Sequence, residues 1–132
     1  MEFISNDPRP KDMRESNDCT VRATSIALGK SYKDIHEAYA KHGRKPRNGV
    51  TVTTLHAVLM DLVGDNLKIV ASDIVRSERK SLAKFIKDNP KGKYVIVRRG
   101  HAFAVIDGVA HDAHPSGCSP RCIVKFAYKV GE

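Results

Sequence analysis

Cys19, His101 and Asp112 have residue types and surroundings suited to nucleophilic chemistry at a carbonyl. A thiol attacks as its thiolate, so a nucleophilic cysteine needs a neighbour or a dipole that lowers its pKa. Cys19 stands where a helix should begin, directly after Ser16, Asn17 and Asp18, all good N-cap types. The unpaired N–H groups and the dipole of a helix start favour a thiolate. The competing view of such a cysteine is a small buried hydrophobe.

His101 follows Gly100 at the expected start of a strand, where a glycine leaves room for the ring or for a substrate backbone to approach. Asp107-Gly108 is a strong hairpin turn pattern. If it forms a two-residue loop, Ile106 pairs with Val109, Phe103 faces Asp112 and His101 faces His114. Side chains alternate along strands, so His101, Phe103 and Asp112 then share one face. His101 and Asp112 become diagonal neighbours about 7–8 Å apart at Cα, within reach of a carboxylate–imidazole hydrogen bond. An aspartate there would fix the ring's tautomer and stabilise the imidazolium. A three-residue loop would reverse the parity. Asp107 is the rival orienter, but turn aspartates usually serve the turn itself.

These residues need elements to hold them. A helix is expected over Asp18–Leu28, apolar or small almost all round and closed by Gly29, which is the pattern of a buried central helix. Ser31 caps a second helix with a stripe of Tyr32, Ile35, Ala38 and Tyr39, ended by Gly43. Leu55, Val58, Leu59 and Leu62 mark a third over Val52–Val63. A short strand over Leu67–Ala71 and a helix over Ser81–Asp88 follow. Strands are then expected at Lys93–Arg98, His101–Ile106, Val109–Asp112 and Cys122–Val130. Residues 1–14, with Pro8 and Pro10, read as an extended arm before a single domain over 15–132. Helices first and strands after argue for an α+β fold with a segregated antiparallel sheet.

The chain has 132 residues, enough for one domain and one core. No apolar run approaches a membrane span, and the first residues lack the basic-then-apolar pattern of a signal peptide. With three cysteines, an odd number, a disulfide framework is not expected, which suits a reducing cytoplasm. The formal charge of +8 attracts acidic partners without itself marking a nucleic-acid binder. Four Tyr, four Phe and no Trp offer few platforms for stacking bases.

Other clusters suggest other chemistry. His111, His114, Cys118 and Cys122 are zinc-ligand types close in sequence, but their spacing is not that of a standard finger, and no metal or cofactor is expected. Lys41, Arg44, Lys45 and Arg47 form a basic turn that is either a solvated loop or a grip for phosphate or an acidic partner. Arg22 is placed to ion-pair with Asp18 or to meet a substrate carboxylate.

In order and type these residues resemble the papain-like cysteine peptidase superfamily. The match lies in Asn17-Asp18-Cys19-Thr20-Val21-Arg22-Ala23 opening a helix, in Gly100-His101-Ala102-Phe103-Ala104-Val105-Ile106-Asp107-Gly108 on a strand, and in Asp112 on the next strand. The Asp-Cys pair and the compactness are especially similar to bacteriocin-leader peptidases and to small phage-encoded peptidase-like proteins. The resemblance implies a papain-like fold with Cys19 as nucleophile, His101 as general base and Asp112 as orienter. It implies acyl transfer through a thioester on a protein or peptide substrate, and the chain's positive charge points to an acidic one. The setting it implies is cytoplasmic, the host's cytoplasm for a phage-encoded chain. The family's usual glutamine before the cysteine is absent, for the chain contains no glutamine. Asn17, Ser16 or the Cys19 N–H would supply the oxyanion donor instead. A deamidase or transglutaminase on the same fold, or a non-catalytic binding protein acting on a host protein or nucleic acid, are the alternatives.

Overall fold

A computed structural model describes residues 1–72 and 79–132. Four α-helices lie among the described residues: α1 Cys19–Leu28, α2 Tyr32–Lys41, α3 Val52–Val63 and α4 Leu82–Asp88. Local chemistry sets their ends. The Ser31, Thr51 and Ser81 hydroxyls each accept an N–H from the first turn, at 3.1, 3.2 and 3.2 Å. Gly29 closes α1 in the left-handed conformation, φ 64°.

The strands are β1 Glu2–Ser5, β2 Lys68–Ala71, β3 Lys80–Ser81, β4 Lys93–Arg98, β5 His101–Ile106, β6 Val109–Asp112, β7 Ile123–Val124 and β8 Phe126–Gly131. Six of them form one sheet in the order β1-β6-β5-β4-β8-β2, and β3 pairs with β7 separately. The large sheet is antiparallel except where β1 runs parallel to β6. The fold is therefore mixed α+β.

Two departures from the expected layout bear on the site. Part of the expected N-terminal arm is a sheet strand, with Ser5 opposite Asp112 and the Asn6 N–H donating to the Asp112 carbonyl at 2.8 Å. Its short pattern, Glu-Phe-Ile-Ser, gave no sign of pairing with a strand a hundred residues away. The expected last strand is broken at Lys125, whose N–H donates to the Val97 carbonyl at 2.8 Å, and the two pieces join different sheets.

The sheet is covered on both faces. Val21, Ile35, Leu59, Val95, Ala104 and Tyr128 pack in a core under α1, α2 and α3. Leu82, Phe85, Ile96, Phe103, Val105 and Val124 pack in a second core with α4. β5 is consequently buried on both faces, which explains its near-continuous apolar run. Its start, His101, lies at the open end of the strand.

Candidate active site

The site is built where the first turn of α1 meets the start of β5. Asp18 occupies the N-cap of α1, but its carboxylate does not cap the helix. It is buried and accepts the Tyr32 hydroxyl at 2.7 Å, with the Arg22 and Arg9 guanidinium groups each 3.5 Å away. Asp18 thus anchors the helix start and leaves the first N–H groups uncapped. Arg22 ion-pairs with that anchor and also borders a hollow lined by His101 and Asp112.

Cys19 is half-buried at this helix start. Burial raises its thiol pKa, but hydrogen bonding from the His101 ring, from the Ala102 N–H and from Thr20 outweighs burial. The thiol is held below its ordinary value. The other two cysteines go the opposite way. Burial pushes Cys118 up to about 11 and also raises Cys122. All three are free thiols.

The turn at Asp107-Gly108 has positive φ at both residues, 47° and 79°, and sets Ile106 opposite Val109. The parity expected from sequence follows. His101 Nε2 lies 2.5 Å from Asp112 Oδ2, and the ring stacks on Phe103 with centroids 6.2 Å apart. Asp112 Oδ1 accepts the Ala113 N–H at 2.7 Å, so both carboxylate oxygens are committed. The Asp112 hydrogen bond, then the Cys19 partner, raise His101 to about 9 against the opposing effect of burial. With Nε2 turned to Asp112, Nδ1 is the nitrogen left for the thiol. Asp107 serves its turn: its Oδ1 accepts the Gly92 N–H at 2.9 Å.

Gly100 proves necessary for a different reason than the one expected. Nothing lies within 4 Å of where a Cβ would stand, but its φ is 75°, as the tight turn between β4 and β5 requires. The close approach is made by Gly117, which lies between the strands expected from the sequence and was not singled out there. A Cβ there would stand 2.5 Å from both Asp112 Oδ2 and His101 Nε2. The backbone of the short 3-10 turn Pro115–Cys118 lies directly against the carboxylate–imidazole hydrogen bond. Arg98 Nε donates to the Gly117 carbonyl at 2.7 Å and holds the turn in place.

A second network braces the approach to Cys19. Arg44 lies buried, with Nη1 and Nη2 donating to Glu15 at 3.1 and 3.0 Å, and His36 Nε2 and the Arg47 N–H contact the same carboxylate at 2.5 and 2.8 Å. Burial raises the Glu15 pKa, but the Arg44 and His36 hydrogen bonds and the Arg47 N–H overcome it and hold the carboxyl at about 2. Arg44 therefore belongs to the interior rather than to a phosphate-gripping loop. Glu15, one of several charges between Lys11 and Asp18, gave no hint of this in the sequence.

Asn17 and Ser16 part company. Asn17, at φ 51°, borders the groove beside Cys19, and its Nδ2 donates to the Arg47 carbonyl at 3.0 Å. Ser16 is exposed and does not line the groove. The groove, about 610 Å³, is lined by Cys19 and His101 together with Val50 to Val52 and the basic Arg98, Arg99 and Lys125. Among the described residues no three His, Cys, Asp or Glu converge on a metal-sized site, so His111, His114, Cys118 and Cys122 do not assemble one. No helix among them is long and apolar enough to cross a membrane. Compared with family models, curated proteins and solved structures, the chain matches none.

Proposed function

We propose that this chain is a cysteine-nucleophile acyl-transfer enzyme of the papain-like kind, a peptidase or isopeptidase acting on a protein or peptide. The observation that carries this reading is the opposed tuning of Cys19 and His101, one thiol lowered and one imidazole raised to about 9, at the wall of an open groove. Both shifts favour the thiolate–imidazolium form of the pair, the reactive form of a nucleophilic cysteine.

In this reading the Cys19 thiolate attacks the substrate carbonyl. The negative oxygen that develops is met by the Cys19 N–H at the uncapped helix start and by the Asn17 amide. His101 then gives its proton to the departing amine, leaving a thioester on Cys19. Water, deprotonated by the now neutral His101, releases the acid and restores the thiol pair. Asp112 holds the ring and favours its protonated form throughout. An amine in place of water would make the same thioester a transglutaminase intermediate, and a side-chain amide substrate would make the enzyme a deamidase.

The test is to expose the protein to a peptide mixture, quench in acid, and search by intact mass spectrometry for an acyl adduct on Cys19. Wild-type protein should show adducts and peptide products, and Cys19→Ala neither. A protein that binds peptides but never acylates would instead be the non-catalytic binding protein.

A further inference from the structure

The groove does not end at the thiol. It shares Arg98, Arg99 and Lys125 with an adjoining hollow of about 490 Å³ whose described lining is completed by Arg79, Arg121, Cys122 and Ile123. No Asp or Glu is among the described residues lining either hollow. Arg98 spends its hydrogen bonds on carbonyls, those of Gly117 and Arg99, so its charge is not met by a carboxylate there. Arg99 and Arg121 are exposed and have no carboxylate partner among the described residues. The uncharged Val50, Thr51 and Val52 line the groove that holds Cys19 but not the second hollow, into which the basic residues continue. The charge is therefore lopsided about Cys19.

We infer that the substrate is a peptide segment whose acidic side chains lie to one side of the reacting carbonyl, seated in this arginine-lined trough. The inference rests on the thiol-enzyme reading and adds to it the charge and the placement of the substrate. A polyphosphate backbone offers the same negative charge but no acyl group for Cys19. The second hollow has no aromatic ring among its described lining residues to stack a base, Phe126 bordering only the groove, while Ile123, 46% exposed, offers an aliphatic contact suited to a peptide side chain. Exposed charge pairs are individually weak, so several cations must share the work, and their effect must fade with salt.

Binding can be read without turnover. The probe is a fluorescent peptide carrying three glutamates to one side of a neutral stretch, compared with its glutamine counterpart and with a single-stranded thymidine oligonucleotide of similar length. Each is titrated into Cys19→Ala protein by anisotropy at low and at moderate salt, with and without Arg99→Ala and Arg121→Ala together. The glutamate peptide should bind roughly five to ten times tighter than the glutamine peptide, and the double substitution should reduce that preference to less than about twofold. Equal binding of the two peptides, a preference that survives the double substitution, or tighter binding of the oligonucleotide would each overturn the inference. Alkylation of Cys19 in the parent protein separates the two claims. A reactive Cys19 with no acid preference removes only the acidic-peptide inference. An inert Cys19 with the preference intact removes the enzyme and leaves an acidic-peptide binding surface.

Discussion

Gly117→Ala puts a methyl group against the hydrogen bond that orients the candidate base. The new Cβ would stand 2.5 Å from Asp112 Oδ2, 2.5 Å from His101 Nε2 and 2.8 Å from His101 Cδ2. Three surrounding groups resist relaxation. The turn is tied to Arg98 at 2.7 Å, Asp112 is tied to the Ala113 N–H at 2.7 Å, and His101 is backed by the Phe103 ring. Real Cβ contacts begin near 3.0 Å, so something must retreat by roughly 0.5 Å at least, and by about 1 Å to reach ordinary van der Waals separation. A displacement of about 1 Å at a reacting group is worth on the order of 10²-fold in rate. Losing the Asp112 bond also removes the largest influence raising His101, so less thiolate is present at neutral pH. The alkylation rate of Cys19 at pH 7 should fall by roughly ten- to a hundredfold, and kcat/KM with it. Melting followed by circular dichroism should show a folded protein. An alanine variant that is folded and alkylates within about twofold of wild type would refute the idea that Gly117 seats the pair.

Further perturbations have set signs. Asp112→Asn removes the main cause of the raised His101, so the alkaline limb of activity, expected near pH 9 in wild type, should move to lower pH. An alkaline limb left in place would exclude Asp112 as orienter. Glu15→Ala leaves the buried Arg44 unpaired and should destabilise the fold by about 3 kcal/mol, measured by urea unfolding near neutral pH. Because folding lowers the Glu15 carboxyl from 4.5 to about 2, its stabilisation is fully present above about pH 4.5. It should be lost as the pH falls toward 2. Deleting residues 1–6 removes the strand beside β6 and the Asn6–Asp112 backbone bond. The melting temperature and the Cys19 alkylation rate should both drop, and an unchanged rate in a folded protein would show that the strand does not brace Asp112.

Much of this site was legible from period and turn chemistry. The Asp107-Gly108 turn fixed the parity of β5 and β6, and parity is what sets Asp112 beside His101 rather than beside its neighbours. Cap residues and apolar spacing located α1 to α4 to within a residue at most ends, because those features act locally. What escaped depended on contacts distant in sequence. Nothing about Pro-Ser-Gly-Cys says that the Gly117 backbone will rest on the carboxylate–imidazole bond. Arg44 looks like any other cation of a basic turn until Glu15 is seen beside it. The Glu2–Ser5 strand has no alternation long enough to announce a parallel partner, and the break at Lys125 answers to a carbonyl on β4. The helix-first, strand-after order also hides that β1 and β2 close the two edges of the sheet.

The central claim is a poised thiolate on Cys19, and the measurement that tests it most directly is iodoacetamide labelling of the native protein across pH, read separately for Cys19, Cys118 and Cys122 by mass spectrometry. Cys19 should label first, with a midpoint below the free-thiol value of about 8.5, and should lose that advantage in His101→Ala. Cys118, raised to about 11, and Cys122 should lag at neutral pH. A Cys19 that labels no faster than the other two, or whose midpoint is unchanged by His101→Ala, would contradict the account.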